Sequence, residues 1–449
     1  MKMFPCLLAV LSSAGILAAE KGRVLHSFQK IELTDQFWAE GAHFGDFNRD
    51  GNQDIVSGPF WYEGPGFKNR HEYSPATQTF ERTLKDGTKE QVPGYEGFLG
   101  SKNAYSGNFF AFTHDLNRDG WTDILIVGFP GEEVAWYENP KGAKGHWPRH
   151  GIFAVADNES PTFADLTGDG SPELVLQTSR STGPGARTGR IGYATPDWKN
   201  PTHAWNFHPV TPEAPKWQRY THGLGFGDVN GDGRNDILEK DAWWEQPASL
   251  AGDPLWKEHP FPFAPKDGSS QMFAYDVDGD GDNDVVTSLA AHGFGLAWYE
   301  NVRENGAITF KAHRIMGSEP SDNRYGVKFS QLHAVDLIDM DGDGLKDIVT
   351  GKRIWAHGPT GDVEPNAPAV LYWFKLVRDS HSGIDFVPYQ IDNASGVGTQ
   401  LVVGDVSGNG IPDIVVGNKK GTFVFLHTAG NVSESVWTKA QPKPLAETH

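Results

Sequence analysis

An all-β protein, built as a seven-bladed β-propeller, is the fold this sequence predicts, and three observations predict it. One nine-residue pattern, D-x-[D/N/S/T]-x-[D/N]-G-x-x-[D/E] followed by an apolar pair, occurs seven times, opening at Asp46, Asp115, Asp165, Asp228, Asp276, Asp339 and Asp405. Strand-like runs with aromatic signatures recur around every copy. With 53 glycines, 29 prolines and 12% aromatic residues, the 449-residue chain suits short strands and many turns. Self-similarity at a spacing of 48 to 69 residues identifies a repeat architecture rather than two or three unrelated domains.

The strands of one unit can be read in order. A small or apolar stretch such as Ala42-His43-Phe44-Gly45 precedes the loop, and a β-rich run such as Asp123-Ile124-Leu125-Ile126-Val127 follows it. The third strand is aromatic: Trp61-Tyr62-Glu63, Trp136-Tyr137-Glu138, Trp243-Trp244-Glu245 and Trp298-Tyr299-Glu300, with weaker forms at Tyr193, Tyr372-Trp373-Phe374 and Phe423-Val424-Phe425. The fourth places His or Tyr three residues after an aromatic: His150, His208, His259, His313 and Tyr389. Four strands in each of seven units give the predicted propeller. The last unit lacks an outer strand after Phe425. The segment Phe28…Ile31…Leu33 ends thirteen residues before Asp46, the spacing that separates Ile152 from Asp165, so the N-terminal strand is expected to complete it.

Residues 1–19 read as a secretory signal peptide, with Lys2, an apolar run from Phe4 to Leu17, then Ala18-Ala19. Residues 20–430 form the propeller and 431–449 a flexible tail. Export to a periplasmic or extracellular setting follows. The one cysteine, Cys6, falls inside the leader, so thiol catalysis and disulfide stapling are both excluded for the mature chain. No membrane span is expected in the mature chain. A net charge of −19 argues against nucleic acid. No G-x-S-x-G elbow, H-E-x-x-H helix or P-loop is present.

The acidity is local. Of 58 Asp and Glu residues, 22 stand at positions 1, 3, 5 and 9 of the seven loops. Hard oxygen groups at that spacing, with glycine at position 6 (Gly51, Gly120), form the first part of an EF-hand-type loop and suit structural Ca²⁺. The predicted ligands are Asp46, Asn48, Asp50 and Asp54; Asp115, Asn117, Asp119 and Asp123; Asp165, Thr167, Asp169 and Glu173; and Asp228, Asn230, Asp232 and Asp236. The remaining loops supply Asp276, Asp278, Asp280 and Asp284; Asp339, Asp341, Asp343 and Asp347; and Asp405, Ser407, Asn409 and Asp413. A plain Asx-turn joining two strands accounts for Asp and Gly as well. Repeated copies are scaffold rather than catalytic centre.

The D-x-N-x-D-G-x-x-D loop followed by Ile-Val resembles the FG-GAP, or VCBS, repeat of integrin-α-type propellers, and the resemblance covers roughly residues 22–430. The chain is also similar to secreted bacterial propellers related to the propeller part of aldos-2-ulose dehydratase, a fungal sugar-eliminating enzyme whose additional cupin domains have no counterpart here. That resemblance implies a carbohydrate-directed, lyase-like or dehydratase-like function.

Residues that break the repeat mark the candidate site. Six positions before each first Asp stand Glu40, Phe109, Glu159, His222, Ser270, His333 and Thr399, on the face opposite the acidic loops. Beside them lie Asn108, Gln271, Gln331 and Gln400, and the connections between second and third strands add His292, Lys352, Arg353, His357 and Lys419-Lys420. His222 or His333 suits a general base, and Glu159 belongs with them. Lys352 and Arg353 suit the stabilisation of a carboxylate or enolate, and His292, His357, Gln271, Gln331, Gln400 and Asn108 suit ligand contacts. Two or three of the histidines with Glu159 also suit Zn²⁺ or another divalent metal. The repeated His150, His208, His259 and His313 are structural. An insertion at 64–108 carrying Arg70, His71 and Tyr73, and a long loop at 351–369, are expected over the same face. Two functions fit: a sugar lyase or dehydratase, and a non-catalytic propeller binding glycan or protein.

Overall fold

The computed structural model describes residues 22–179, 188–265, 268–379 and 383–446. The expected signal peptide lies outside them. The molecule is an all-β propeller. Its strands form five four-stranded sheets, one eight-stranded sheet and a two-stranded hairpin at Thr79–Thr83 and Lys89–Pro93. Seven separate sheets were expected. Eight strands instead share one sheet, because Leu224–Gly227 pairs in parallel with Gln271–Tyr275 and joins two antiparallel meanders.

Each meander follows the sequence pattern. In one unit Phe110–His114, Asp123–Val127, Glu132–Tyr137 and Arg149–Ala156 run in order, with the acidic loop between the first two strands. The ninth loop residue is the tie. Asp123 is buried and accepts the amides of Leu116 at 2.9 Å and Asn139 at 2.8 Å, fixing the loop and the end of the third strand to the second strand. Asp54, Asp236, Asp284 and Asp347 repeat the arrangement. The repeated fourth-strand histidines stack on third-strand aromatics, His259 on Trp243 at 3.9 Å between centroids and His313 on Trp298 at 4.2 Å. His150, His259 and His313 also bond to the glutamate closing the aromatic motif. They are indeed structural.

Apolar packing lies between neighbouring sheets rather than in one core. Trp373 of one unit, for example, packs with Leu401, Val416 and Phe423 of the next. The N-terminal strand Arg23–Thr34 is the outer strand of the last sheet, paired with Gly421–Val432. The first and last units also meet at the backbone, where the Thr399 amide donates to the Glu40 carbonyl at 2.8 Å.

Chain order extends past the expected boundary at residue 430. Val432 still pairs with Arg23, Glu434–Ala440 is helical, and the Leu445 amide bonds to the Arg324 carbonyl at 2.9 Å. Among the described residues no helix is long and apolar enough to cross a membrane.

Candidate functional site

The connections leading into first strands and those joining second to third strands meet on the face opposite the acidic loops. Glu159, His222 and His333 each come from a segment just ahead of a first strand, as their shared register requires. His292 comes from the turn after Asp284–Ser288, and Arg353 from the end of Asp347–Gly351. Backbone geometry permits the convergence. Gly268, at φ +74°, passes under His222 so closely that a Cβ would stand 2.8 Å from its carbonyl oxygen. Gln331 adopts φ 63°, and its carbonyl accepts the amides of both His333 and Arg353 at 2.9 Å.

Three imidazole nitrogens point at one another. His222 Nε2 is 3.2 Å from His333 Nε2 and 3.1 Å from His292 Nε2. Glu159 Oε2 stands 3.1 Å from His333 Nε2 and 3.6 Å from His222 Nε2. His333 is fully buried, His222 is 9% exposed and Glu159 7%. Burial and the nearby Arg353 lower His333 to about 3, and burial with the neighbouring imidazoles lowers His292. Burial pushes the Glu159 carboxyl up, but His222 and His333 outweigh it and hold it well below the usual range.

Ligands on a tetrahedron around an ion, with bonds of about 2.0–2.1 Å, stand about 3.3–3.4 Å from each other. Four of the six spacings among these atoms, 3.1 to 3.6 Å, bracket that edge. A neutral imidazole offers one N–H and one lone pair, so three converging Nε2 atoms cannot all find donors and acceptors in each other. The donor set, three imidazoles and a carboxylate, suits Zn²⁺ and its borderline neighbours.

Charged groups surround this cluster. Arg353, 2% exposed, donates through Nε to Glu40 Oε2 at 3.0 Å, through Nη2 to the same oxygen, and through Nη1 to Glu159 Oε2 at 3.5 Å. Burial lowers Lys419 to about 8; its ammonium bonds to the Trp355 carbonyl at 2.8 Å and lies 3.9 Å from Glu40. His357 Nδ1 is 2.7 Å from Asp362 Oδ1. Three carboxylates (Glu40, Glu159 and Asp362) are thus interleaved with Arg353, Lys419 and the His357 ring.

His222, His292, Glu159, Arg353 and His357 line a cavity of about 790 Å³, walled by Tyr105, Phe129 and Tyr220 and edged by Lys216, Gln218 and Lys240. That volume suits a small-molecule or sugar ligand.

The other expected site residues lie elsewhere or are occupied. Lys352 turns to Ser330 Oγ at 2.8 Å, away from its neighbour Arg353, and burial lowers it to about 8. Gln400 uses both ends of its amide on the Ala111 backbone, and Gln271 bridges the Val335 amide and the Thr399 carbonyl. Gln331 donates to the Val363 carbonyl. The buried Asn108 side chain has no hydrogen-bond partner among the described residues. Arg70 and His71 form the outer strand of the first unit, where His71 stacks on Trp61, and Tyr73 is buried against Tyr137 and Trp147. The insertion reaches the site face through Phe98, Asn103 and Tyr105 instead.

Asp362, Tyr105, Phe129 and Tyr220 were not foreseen. Length of the 351–369 loop was the sole signal for Asp362. Tyr220, at φ 69° and 48% exposed, has a backbone state no local pattern reveals.

Three of the acidic loops bring carboxylates together. Three carboxylates approach one another in the loops of Asp165, Asp169 and Glu173, of Asp276, Asp278 and Asp284, and of Asp339, Asp341 and Asp347. Lys375 reaches into the last, bonding Asp341 and standing 2.9 Å from Asp343. In all seven loops the first carboxylate accepts the loop's own amides, as in an Asx-turn.

Residues 115–176 match the family model described as an FG-GAP-like repeat. Among curated proteins no sequence matches the chain. Solved structures with a similar arrangement include rhamnogalacturonan lyase YesW, at 13% identity and TM-score 0.40, covering 90% of this chain and 72% of that one. Another is a triple arginine-to-alanine mutant of AofleA from Arthrobotrys oligospora, at 14% identity and TM-score 0.36, covering 71% of this chain and 84% of that one.

Proposed function

We propose that this propeller, which carries an FG-GAP-like repeat, holds a divalent transition metal on His222, His292, His333 and Glu159 and uses it on a carbohydrate bound in the adjoining cavity. One observation carries the proposal: ring nitrogens of three histidines lie within 4.8 Å of one another, with a Glu159 oxygen against two of them, at the edge of a cavity of about 790 Å³. A metal bound there supplies Lewis acidity toward a carbonyl or carboxylate oxygen of the sugar, the chemistry a lyase or dehydratase needs.

The chain's own residues take defined parts. Glu159 supplies the anionic ligand, and Arg353 fixes it while neutralising Glu40. Tyr105, Phe129 and Tyr220 offer flat apolar faces to a sugar ring. Convergence of His222 and His333 on one point favours ligand roles for them over the role of general base. His357, half-exposed on the cavity, is the imidazole left to meet substrate.

We read the eight-stranded sheet as two blades, so that seven four-stranded units close into a ring with the N-terminal strand as its clasp. Calcium in the acidic loops is part of the same proposal, best supported where three carboxylates converge. The leader-like residues 1–19 support export.

Metal analysis of the purified protein, followed by a polysaccharide and oligosaccharide screen reading both binding and absorbance of unsaturated products, tests the proposal. Product formation that depends on added Zn²⁺, Co²⁺ or Mn²⁺ is expected. Binding without turnover moves the protein to the non-catalytic class. Failure of all three ions to bind removes the metal.

A further inference from the structure

The second ring nitrogens of the metal-facing histidines raise a separate question. His292 Nδ1 is buried without a hydrogen-bond partner, and Asp362 Oδ1 lies 3.7 Å away. Asp362 belongs to the long 351–369 loop, and its side chain is only 5% exposed. Its Oδ2 accepts the backbone amide of His357 at 2.8 Å, and its Oδ1 stands 2.7 Å from His357 Nδ1. His292 and His357 therefore face one carboxylate, their ring centroids 4.5 Å apart.

An ion on His292 Nε2 takes that nitrogen's lone pair and leaves the proton on Nδ1. A buried N–H without an acceptor is costly, and the nearest acceptor is Asp362 Oδ1. Closing the gap to hydrogen-bonding distance needs a shift of about 0.8 Å. A second ion shared by His292, His357 and Asp362 fits less well. The 2.7 Å between His357 and Asp362 is a hydrogen-bond length, shorter than the edge of about 3.3 Å between two ligands of one tetrahedral ion.

We propose that Asp362 is a positioning residue for the metal: it receives the Nδ1–H of His292, fixes that ring's tautomer and orientation, and ties the cavity-facing His357 to the same carboxylate. The inference rests on the metal site proposed above. It makes the blade-six loop part of the metal centre rather than only a wall of the cavity.

Co²⁺ titration of the metal-stripped full chain, in excess Ca²⁺ to fill the acidic loops, tests it through both affinity and visible absorption. In the wild type, Co²⁺ should give the ligand-field bands of an imidazole site. Asp362→Asn should bind about 10- to 100-fold more weakly with shifted bands. Asp362→Glu should recover part of both, and His357→Ala, which keeps the carboxylate, should leave the spectrum in place. Wild-type affinity and bands in Asp362→Asn overturn the inference while the metal site stands. Equal weakening by His357→Ala also overturns it, by showing that only loop integrity matters. Absence of imidazole-type bands in the wild type removes the metal site and this inference together.

Discussion

Arg353 and Glu40, 313 residues apart in sequence, form a buried ion pair with Arg353 Nε 3.0 Å from Glu40 Oε2. Their side chains are 2% and 1% exposed. Burial lowers the guanidinium's affinity for its proton, yet Glu40 and Glu159 outweigh that and raise it. The pair ties the first unit to the sixth and holds Glu159 toward the histidines. Truncating one partner leaves the other buried and charged with only a more distant counterion, Lys419 at 3.9 Å for Glu40 or Glu159 at 3.5 Å for Arg353. We expect Arg353→Met to cost about 3–5 kcal/mol in denaturant unfolding, and Glu40→Gln/Arg353→Met together to cost less than Arg353→Met alone. A loss under about 1 kcal/mol for Arg353→Met would show that the pair does not brace the fold.

The histidines give a second expectation. If His222 and His333 are ligands, His333→Ala should abolish tight Zn²⁺ binding while the melting temperature in metal-free buffer changes by only a few degrees. The variant loses the packing of a fully buried ring, but without metal it also removes one of three imidazoles whose nitrogens cannot all be paired, which offsets part of that loss. Equilibrium dialysis against Zn²⁺ checks this, and His259→Ala serves as control because that ring stacks on Trp243 in the sheet. Equal Zn²⁺ binding by the His333→Ala variant and the wild type would return these rings to a purely polar or packing role.

Much of this molecule was legible before its fold was known. The acidic repeat set the unit, and the aromatic motif set the third strand. Positions that broke the repeat, Glu159, His222 and His333, came together as their common register required. What failed to show was direction. Lys352 and Arg353 are adjacent, but one turns to Ser330 and the other to Glu40, the chain having left its strand at Gly351. Gln271 and Gln400 look like ligand groups, yet they satisfy backbone of neighbouring units, a demand created only when the inner strands assemble. His71 was assigned to an overhanging insertion although it occupies the repeated fourth-strand position, stacked on Trp61 and 3.1 Å from Glu63. An insertion later in the same stretch concealed that register.

Tyr220 provides a third expectation. A tyrosine at φ 69°, half-exposed and 5.7 Å from Phe129 between centroids, is a strained residue facing a cavity. Tyr220→Ala should weaken binding of whichever oligosaccharide the screen identifies by about tenfold, equivalent to about 1.4 kcal/mol, with Zn²⁺ content unchanged. Tyr220→Phe should retain most of that affinity, because the ring face rather than the hydroxyl makes the contact. Unchanged binding by Tyr220→Ala would place the ligand elsewhere on the rim.

The ninth loop carboxylates make stability depend on pH and calcium together. Burial raises Asp123, Asp236, Asp284 and Asp347 to about 7, and Asp54 to about 6, in the absence of metal. In the unfolded chain each titrates near about 3.9. Between about pH 4 and pH 7 the folded state therefore binds protons that the unfolded state does not. These groups favour the metal-free fold at the acid end of that window, and the contribution is lost as pH rises through their folded values. Calcium competes with the same protons, so its effect should grow over the interval in which theirs fades. With EDTA present, the melting temperature should fall as pH rises from about 5 to 7.5, and millimolar Ca²⁺ should restore several degrees at the upper end but little at the lower. Scanning calorimetry at both ends, with and without chelator, checks this. A melt indifferent to EDTA at about pH 7.5 would leave the loops as Asx-turns that need no ion.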